Sequence, residues 1–284
     1  MTKTRDDPEF LINYSLSVPE VFKDAARYIF KRSKSLDLIC LQPRERNYTF
    51  PLPSWVPNFA LDPNWDMQPL LSSNNNWRAS KECNAEFRFE NANQWLISRG
   101  LVLDSVRYLG NRSLRMTNSN DMLGMISRVN DWRMLLRETK GDDRHALFST
   151  LVMGRTGAIG SILAIFAKLS KHFHPNVRDS QLDSFELYEV DSVYARSWLD
   201  AISYLTFERN FFISKLKIIG LSADTVLEGD KICILLGCSL PVILCKVENH
   251  YIYLGEAYVD GYMYGKAIDE LEQGVYKLED FEIW

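Results

Sequence analysis

No apolar run in this 284-residue chain approaches the roughly twenty residues that a membrane-spanning helix needs. The longest, Ala158–Ala167, is interrupted by Gly160 and Ser161 and reads as a buried core helix. The opening decapeptide, MTKTRDDPEF, is polar and has no apolar stretch of the kind that directs export. Cysteine is scarce and unpatterned. The five residues Cys40, Cys83, Cys233, Cys238 and Cys245 form no CxxC pair, and one is left over by count, which argues against a secreted disulfide framework. Reduced thiols and a cytoplasmic location are therefore expected. Strong charge of either sign is missing too: a formal net charge of −4 excludes a general nucleic-acid binder, which would be markedly basic. Only four histidines occur, and the single close pair, His172 and His174, precedes Pro175 with no cysteine or acidic pair to complete a zinc set.

The standard catalytic signatures are absent as well. There is no Gly-x-Ser-x-Gly elbow. Gly154-Arg-Thr-Gly-Ala-Ile-Gly160 has glycines at a suggestive spacing. It lacks both the GxGxxG order of a dinucleotide loop and the Gly-Lys-Ser/Thr ending of a phosphate loop. The preceding Ala146–Met153 has a helical pattern, so a helix break or close helix packing is the simpler reading. No cofactor or metal is expected.

What is present is the composition of a globular chain with a real core: 46% hydrophobic and 25% charged residues. Its length fits about two domains of roughly 150 residues, or one large α+β unit. Ser17-x-x-Glu20 is a capping-box pattern, with Pro19 tolerated in the first turn. Val21, Phe22, Ala25, Tyr28 and Ile29 follow at three- and four-residue spacing, which predicts an amphipathic helix through about Ser33. Lys23, Arg27, Lys31 and Arg32 lie off that stripe and read as a solvated face, with a partner or lipid contact as the alternative.

From Gln42 to about Asn84 the chain is rich in Pro, Asn and Trp. Closely spaced prolines hold themselves and their predecessors extended, so this stretch should wrap the core, pinned by Trp55 and Trp65. Ser72–Trp77 reads as a flexible loop. Glu86–Arg107 has the alternation of a hairpin, with Phe87 and Phe89 before Asn91-Ala-Asn and Trp95-Leu-Ile after it. Helical spacing then takes over: Met122, Ile126, Val129, Trp132 and Leu136; one or two helices in His145–Leu169; and Val190, Tyr194, Trp198, Ala201, Ile202 and Leu205.

The C-terminal third reads as a β-meander. Ile232–Leu236 and Pro241–Val247 are joined by Gly237-Cys238-Ser239-Leu240, and Tyr251–Val259 follows Glu248-Asn249-His250. Gly229-Asp230 supplies a tight turn before the first run. The acidic tail, with Glu270, Glu272, Glu279, Asp280 and Glu282, reads as solvated charge between core anchors Leu271, Val275 and Phe281. Strands, helices and strands again predict an α+β fold: an N-terminal helix and Pro/Trp-rich wrap, a β-hairpin, a helical middle, and a C-terminal antiparallel β-meander or small barrel. The corresponding regions are 1–117, 118–206 and 207–284, or one integrated unit.

Several blocks carry a family likeness: Arg209-Asn-Phe-Phe212, Ile219-Gly-Leu221, Gly229-Asp-Lys-Ile-Cys-Ile-Leu-Leu-Gly237, Pro241-Val-Ile-Leu244 and Gly255-Glu-Ala-Tyr-Val259. In this order they resemble the C-terminal region of fungal heterokaryon incompatibility (HET-domain) proteins. Tyr14–Arg27 resembles the segment just after the HET domain in that family, and Leu52-Pro-Ser-Trp-Val-Pro57 an element that follows it. One departure is Asp260, where family members often carry a histidine. The HET domain itself would lie upstream of Met1, and no Tyr-Ala-Leu-Ser-Tyr-x-Trp-Gly-like hallmark of it appears in this sequence.

The resemblance implies a non-catalytic regulatory or interaction region of an incompatibility protein, concerned with self/non-self recognition and cell death. A protein partner is expected, with a HET-domain protein as the candidate, and neither nucleic acid nor a membrane span. The alternative is a hydrolase or transferase with an unfamiliar site near Cys238, His250 and Glu256. Cys238 and His250 flank the same predicted hairpin, and a Cys–His dyad needs only spatial proximity. Glu256 would be a buried acceptor at a turn; acid–base chemistry by Glu256 or Asp260 would require a second carboxylate converging on it.

Overall fold

The computed structural model describes residues 15–41, 51–60, 70–72, 76–91, 94–111, 119–141, 143–154 and 201–284. The chain is α+β, with nine strands in mixed pairing and four helices of seven residues or more among the described residues. It divides into two compact units. Unit 1 comprises residues 1–105, 225–257 and 261–284, and unit 2 comprises 106–224 and 258–260.

Unit 1 begins with helix α1 (Val18–Ser33). The backbone amide and hydroxyl of Ser17 both donate to the Glu20 carboxylate, at 2.8 and 2.7 Å, so the capping pattern is realised. Lys34 ends the helix in the left-handed region, its amide returning to the Phe30 carbonyl. The buried side chains are Ala26 and Phe30, whereas Val21 and Ile29, expected to face inward, are exposed. The helix is rotated because Phe30 is the residue that meets an aromatic cluster. Its ring lies 6.1 Å from Trp55, 6.0 Å from Phe87 and 6.5 Å from Phe89. Such clusters combine large area burial with favourable ring geometry, and that outweighs the better helical spacing of the neighbouring stripe.

The described part of the wrap, 51–60, behaves as its prolines imply. Trp55 is fully buried and donates through Nε1 to the Gln94 carbonyl at 3.1 Å. Ser54 accepts from the Tyr253 amide at 2.8 Å and donates to the Trp284 carbonyl, tying the wrap to the C-terminal strands. Trp65 lies outside the described residues. Trp77, expected at the end of a flexible loop, is buried.

The sheet of unit 1 is built on β2 (Trp95–Leu109). β1 (Phe87–Glu90) pairs with it as the expected hairpin. Over Leu96–Gly100 it pairs with β9 (Glu279–Ile283), and over Gly100–Ser105 with β5 (Lys231–Leu235). β5 pairs with β6 (Val242–Val247), β6 with β7 (His250–Glu256), and β7 meets β9 in a single parallel pairing, Tyr251 with Ile283. The circuit β2–β5–β6–β7–β9 therefore closes on itself. At Gly100 a Cβ would stand 2.4 Å from the Ile234 carbonyl oxygen, so a side chain there would force β5 away. Helix α4 (Lys266–Glu272) precedes β9.

The acidic tail is thus built into regular structure, with Glu270 and Glu272 in α4 and Glu279, Asp280 and Glu282 in β9. The charges of β9 are solvated around the anchor Phe281, as expected. Phe281 and Ile283 point inward while Glu279, Asp280 and Glu282 stay exposed, and Val275, expected as an anchor, is exposed as well. The expected third run, Tyr251–Val259, is divided at Ala257 into β7 and β8 (Tyr258–Val259), which pair with different partners.

Unit 2 holds the end of β2 from Val106, helices α2 (Ser119–Thr139) and α3 (Arg144–Leu151), a helical stretch at 201–206, and β3 (Arg209–Ser214), β4 (Ile219–Ala223) and β8. β2 pairs with β3, β3 with β4, and β4 with β8, all antiparallel. Trp132 of α2 is fully buried, stacks on Phe211 at 5.6 Å and donates to the Asn111 carbonyl at 2.9 Å. Gly220 of β4 lets the Tyr258 backbone approach, since a Cβ there would lie 2.2 Å from its carbonyl oxygen. The apolar run 158–167 and His172/His174 fall outside the described residues.

The rotated α1 makes a direct prediction. Phe30→Ala should destabilise the protein by about 3–5 kcal/mol, as for other buried Phe truncations, while Ile29→Ala should cost under about 1 kcal/mol. Urea denaturation of the two variants checks this, and equal losses would contradict the assigned face.

Candidate functional site

The most concentrated buried chemistry in unit 1 surrounds Cys238. Gly237 gives this turn its shape. It takes a positive φ of 77°, and a Cβ there would collide with the Ala85 backbone at 2.4 Å. The Gly237 carbonyl accepts from the Leu36 amide at 2.9 Å and from the Ser35 hydroxyl at 3.0 Å. On the other side of Cys238, the Asp37 carboxylate accepts from the Ser239 amide at 2.6 Å and hydroxyl at 2.8 Å. Asp37 opens the 3₁₀ turn Asp37–Leu41, which carries Cys40. The result is a contact of 3.5 Å between Cys40 Sγ and Cys238 Sγ, with both residues fully buried.

Two further polar groups share this interior. Tyr253 of β7 is buried, and its hydroxyl makes no hydrogen bond among the described residues. Glu256, at the end of β7, is 1% exposed and accepts from the Leu70 amide at a long 3.4 Å. The expected role of Glu256 as a buried acceptor fits this placement. The hydrogen bond between Cys40 and Cys238, and then burial, hold the Cys40 thiol well above the ordinary value of 9.0. Burial chiefly pushes up Tyr253, and likewise Cys233 on β5. These groups are thus kept neutral, and neutral thiols are poor nucleophiles.

His250 does not join them. It opens β7, six residues before Glu256, a separation of roughly 20 Å along an extended strand. There its ring meets the edge of Trp95 at 5.1 Å. The sequence-level site therefore splits: Cys238 and Glu256 border one buried cluster, and His250 belongs to the far end of the β6–β7 hairpin. Cys40, Tyr253 and Asp37 were not among the expected site residues. Nothing local marks them, because Cys40 and Cys238 are 198 positions apart.

Asp260 sits in unit 2, where its carboxylate accepts from Ser149 Oγ of α3 at 2.8 Å and from the Tyr258 hydroxyl at 3.3 Å. Gly154, first of the spaced glycines, follows α3 with φ 71° and lies against the Tyr258 hydroxyl. This arrangement fastens a helix to a strand. Residues 155–160, the rest of the spaced-glycine stretch, are outside the described set. No group of three or more His, Cys, Asp or Glu among the described residues is placed to hold a metal.

An α+β chain with a closed strand circuit and a buried thiol–phenol–carboxylate cluster is the class of molecule that emerges. Residues 178–278 match the family model of the Het-6 beta-barrel domain, which relates this part of the chain to fungal heterokaryon incompatibility proteins. No curated protein and no solved structure was found to match. The match includes β3 to β8 and α4 but stops before β9 and does not include β2. The stretches Tyr14–Arg27 and Leu52–Pro57 lie outside it.

Two predictions follow from this geometry. A fragment limited to 178–278 leaves β5 and β7 without their β2 and β9 partners, exposing unpaired edges. It should be insoluble or unfolded by circular dichroism, whereas the full chain should be folded; a cooperatively folded fragment would refute the dependence on β2 and β9. The raised thiols also set a pH dependence. A neutral form favoured on folding stabilises fully below the unfolded-state value and loses that contribution as pH climbs through the folded one. Stability should thus fall as pH rises above 9, with Cys40 and Cys233 each contributing to the decline. Urea denaturation at pH 8, 9 and 10 should show a shallower decline in Cys233→Ala than in wild type.

Proposed function

We propose that this chain is a non-catalytic regulatory region of a HET-type fungal incompatibility protein, acting in the cytoplasm through contact with a HET-domain protein. The observation that carries this reading is the match of residues 178–278 to the Het-6 beta-barrel domain. The site geometry supports it in a second way. The one nucleophile considered for chemistry, Cys238, is enclosed with a protonated thiol neighbour and lies far from His250, its only proposed base. A nucleophilic cysteine requires a base within hydrogen-bond reach and access for substrate. On this reading the cluster holds the turn that joins β5 and β6, and recognition belongs to the outer surface.

The test uses the full chain, affinity-tagged and expressed in cells of its own source. A HET-domain protein should co-purify with it, and deletion of the chain should change the outcome of fusion between incompatible strains. Recovery of no HET-domain protein, or turnover of a substrate by the purified chain, would overturn the proposal. Cys238→Ala separates the two classes of reading. It should lower stability by about 1 kcal/mol, the scale of a small buried truncation, and leave capture of the HET-domain protein intact. Loss of an activity with an unchanged melting temperature would point to chemistry at Cys238 instead.

A further inference from the structure

We infer that Cys40 and Cys238 form a redox latch that locks the first helix and its following 3₁₀ turn onto the strand circuit of unit 1. The geometry is already close to that of a bond. The sulfurs are 3.5 Å apart, against about 2.05 Å in a disulfide. Their backbones are held independently of the sulfurs. Gly237 and Ser239, on either side of Cys238, bind Ser35, Leu36 and Asp37 through four hydrogen bonds. Ala85 adds a fifth through the Lys34 carbonyl at 2.8 Å. Every one of these bonds fastens the 34–37 segment, and Cys40 lies three residues beyond it.

Burial determines when the latch can close. Neither sulfur is exposed, so an oxidant reaches them only when residues 34–41 lift from the 237–239 turn. Once they lift, burial no longer holds the Cys40 thiol protonated, and it can ionise. That thiolate attacks a low-molecular-weight disulfide, forming a mixed disulfide and expelling one thiolate. As the segment redocks, the second cysteine displaces the other half as a second thiolate. The two protons given up by Cys40 and Cys238 end on the two released thiols, and one small disulfide has been reduced for each latch formed. The new bond closes a loop spanning 198 positions, for which loss of unfolded-state entropy is large. Reduction restores the opening motion. The device therefore couples docking of α1 (residues 18–33) to the thiol–disulfide state of the surroundings.

The experiment uses the full chain carrying Cys83→Ser and Cys245→Ser, which removes the two half-buried thiols and keeps the pair. Oxidised glutathione is the probe. Non-reducing peptide mass spectrometry should find the Cys40 and Cys238 peptides linked, and the thermal midpoint should rise by roughly 5–15 °C, reversed by dithiothreitol. Amides of residues 18–41 should exchange with deuterium more slowly after oxidation. Adding Cys40→Ser to that background should abolish both the link and the rise; if that variant does not fold, Cys238→Ala serves the same purpose. Glutathione carried on Cys40 or Cys238 with no cross-link would overturn the inference. So would a cross-link that leaves the midpoint unchanged or lowers it.

Discussion

Both edges of β2 are occupied by other strands, and the fold is organised around that fact. Along one stretch it meets β9 and β5, further on it meets β3, and β1 joins it from the hairpin. In unit 1 every other strand is bonded to β2 directly or through one neighbour. Unpaired strand edges are costly when buried and hazardous when exposed, so a strand shared in this way removes several liabilities at once. Gly100 is the local cost: it lies where β9 gives way to β5, and only the absence of a side chain lets the Ile234 carbonyl approach.

Much of the local architecture was legible in the residues. The capping pair Ser17 and Glu20, the Phe87–Phe89 hairpin, the pinning of the wrap by Trp55 and the two runs around Gly237 all follow from spacing and turn chemistry. The failures have a common physical origin in long-range packing. The α1 stripe was misjudged by one position because Phe30 finds aromatic partners from β1 and the wrap, a fact no helical wheel contains. β9 was misread because its outward positions are all acidic, and charge concealed a two-residue alternation whose inward members are Phe281 and Ile283. The division between β7 and β8 was hidden because Tyr251–Val259, apart from Gly255 and Glu256, reads as one apolar run, while the backbone changes partner at Ala257.

The candidate site was legible only in part. Cys238 and Glu256 could be nominated from their position beside turns, and they do border a common interior. His250 seemed near because it is near in sequence, yet an extended strand turns six residues into a long distance. Cys40 could not be found this way, since its proximity to Cys238 depends on hydrogen bonds made by Leu36 and Asp37 across the chain. The boundaries of the matched family domain illustrate the same limit. Likeness in sequence ends before β9, whereas hydrogen bonding continues into it and back to β2.

The closure of the circuit by β9 also fixes an order of events during synthesis. β2 emerges early, but the strand that covers one of its edges lies between residues 279 and 283. Pairings separated by so much chain form slowly, because a long segment must be ordered before the contact repays it. Throughout translation of the intervening residues, β2 therefore waits with an open edge and an apolar face. The growing chain is most vulnerable to misassociation in that interval, and its dependence on chaperones should be set by the time from synthesis of β2 to release of β9.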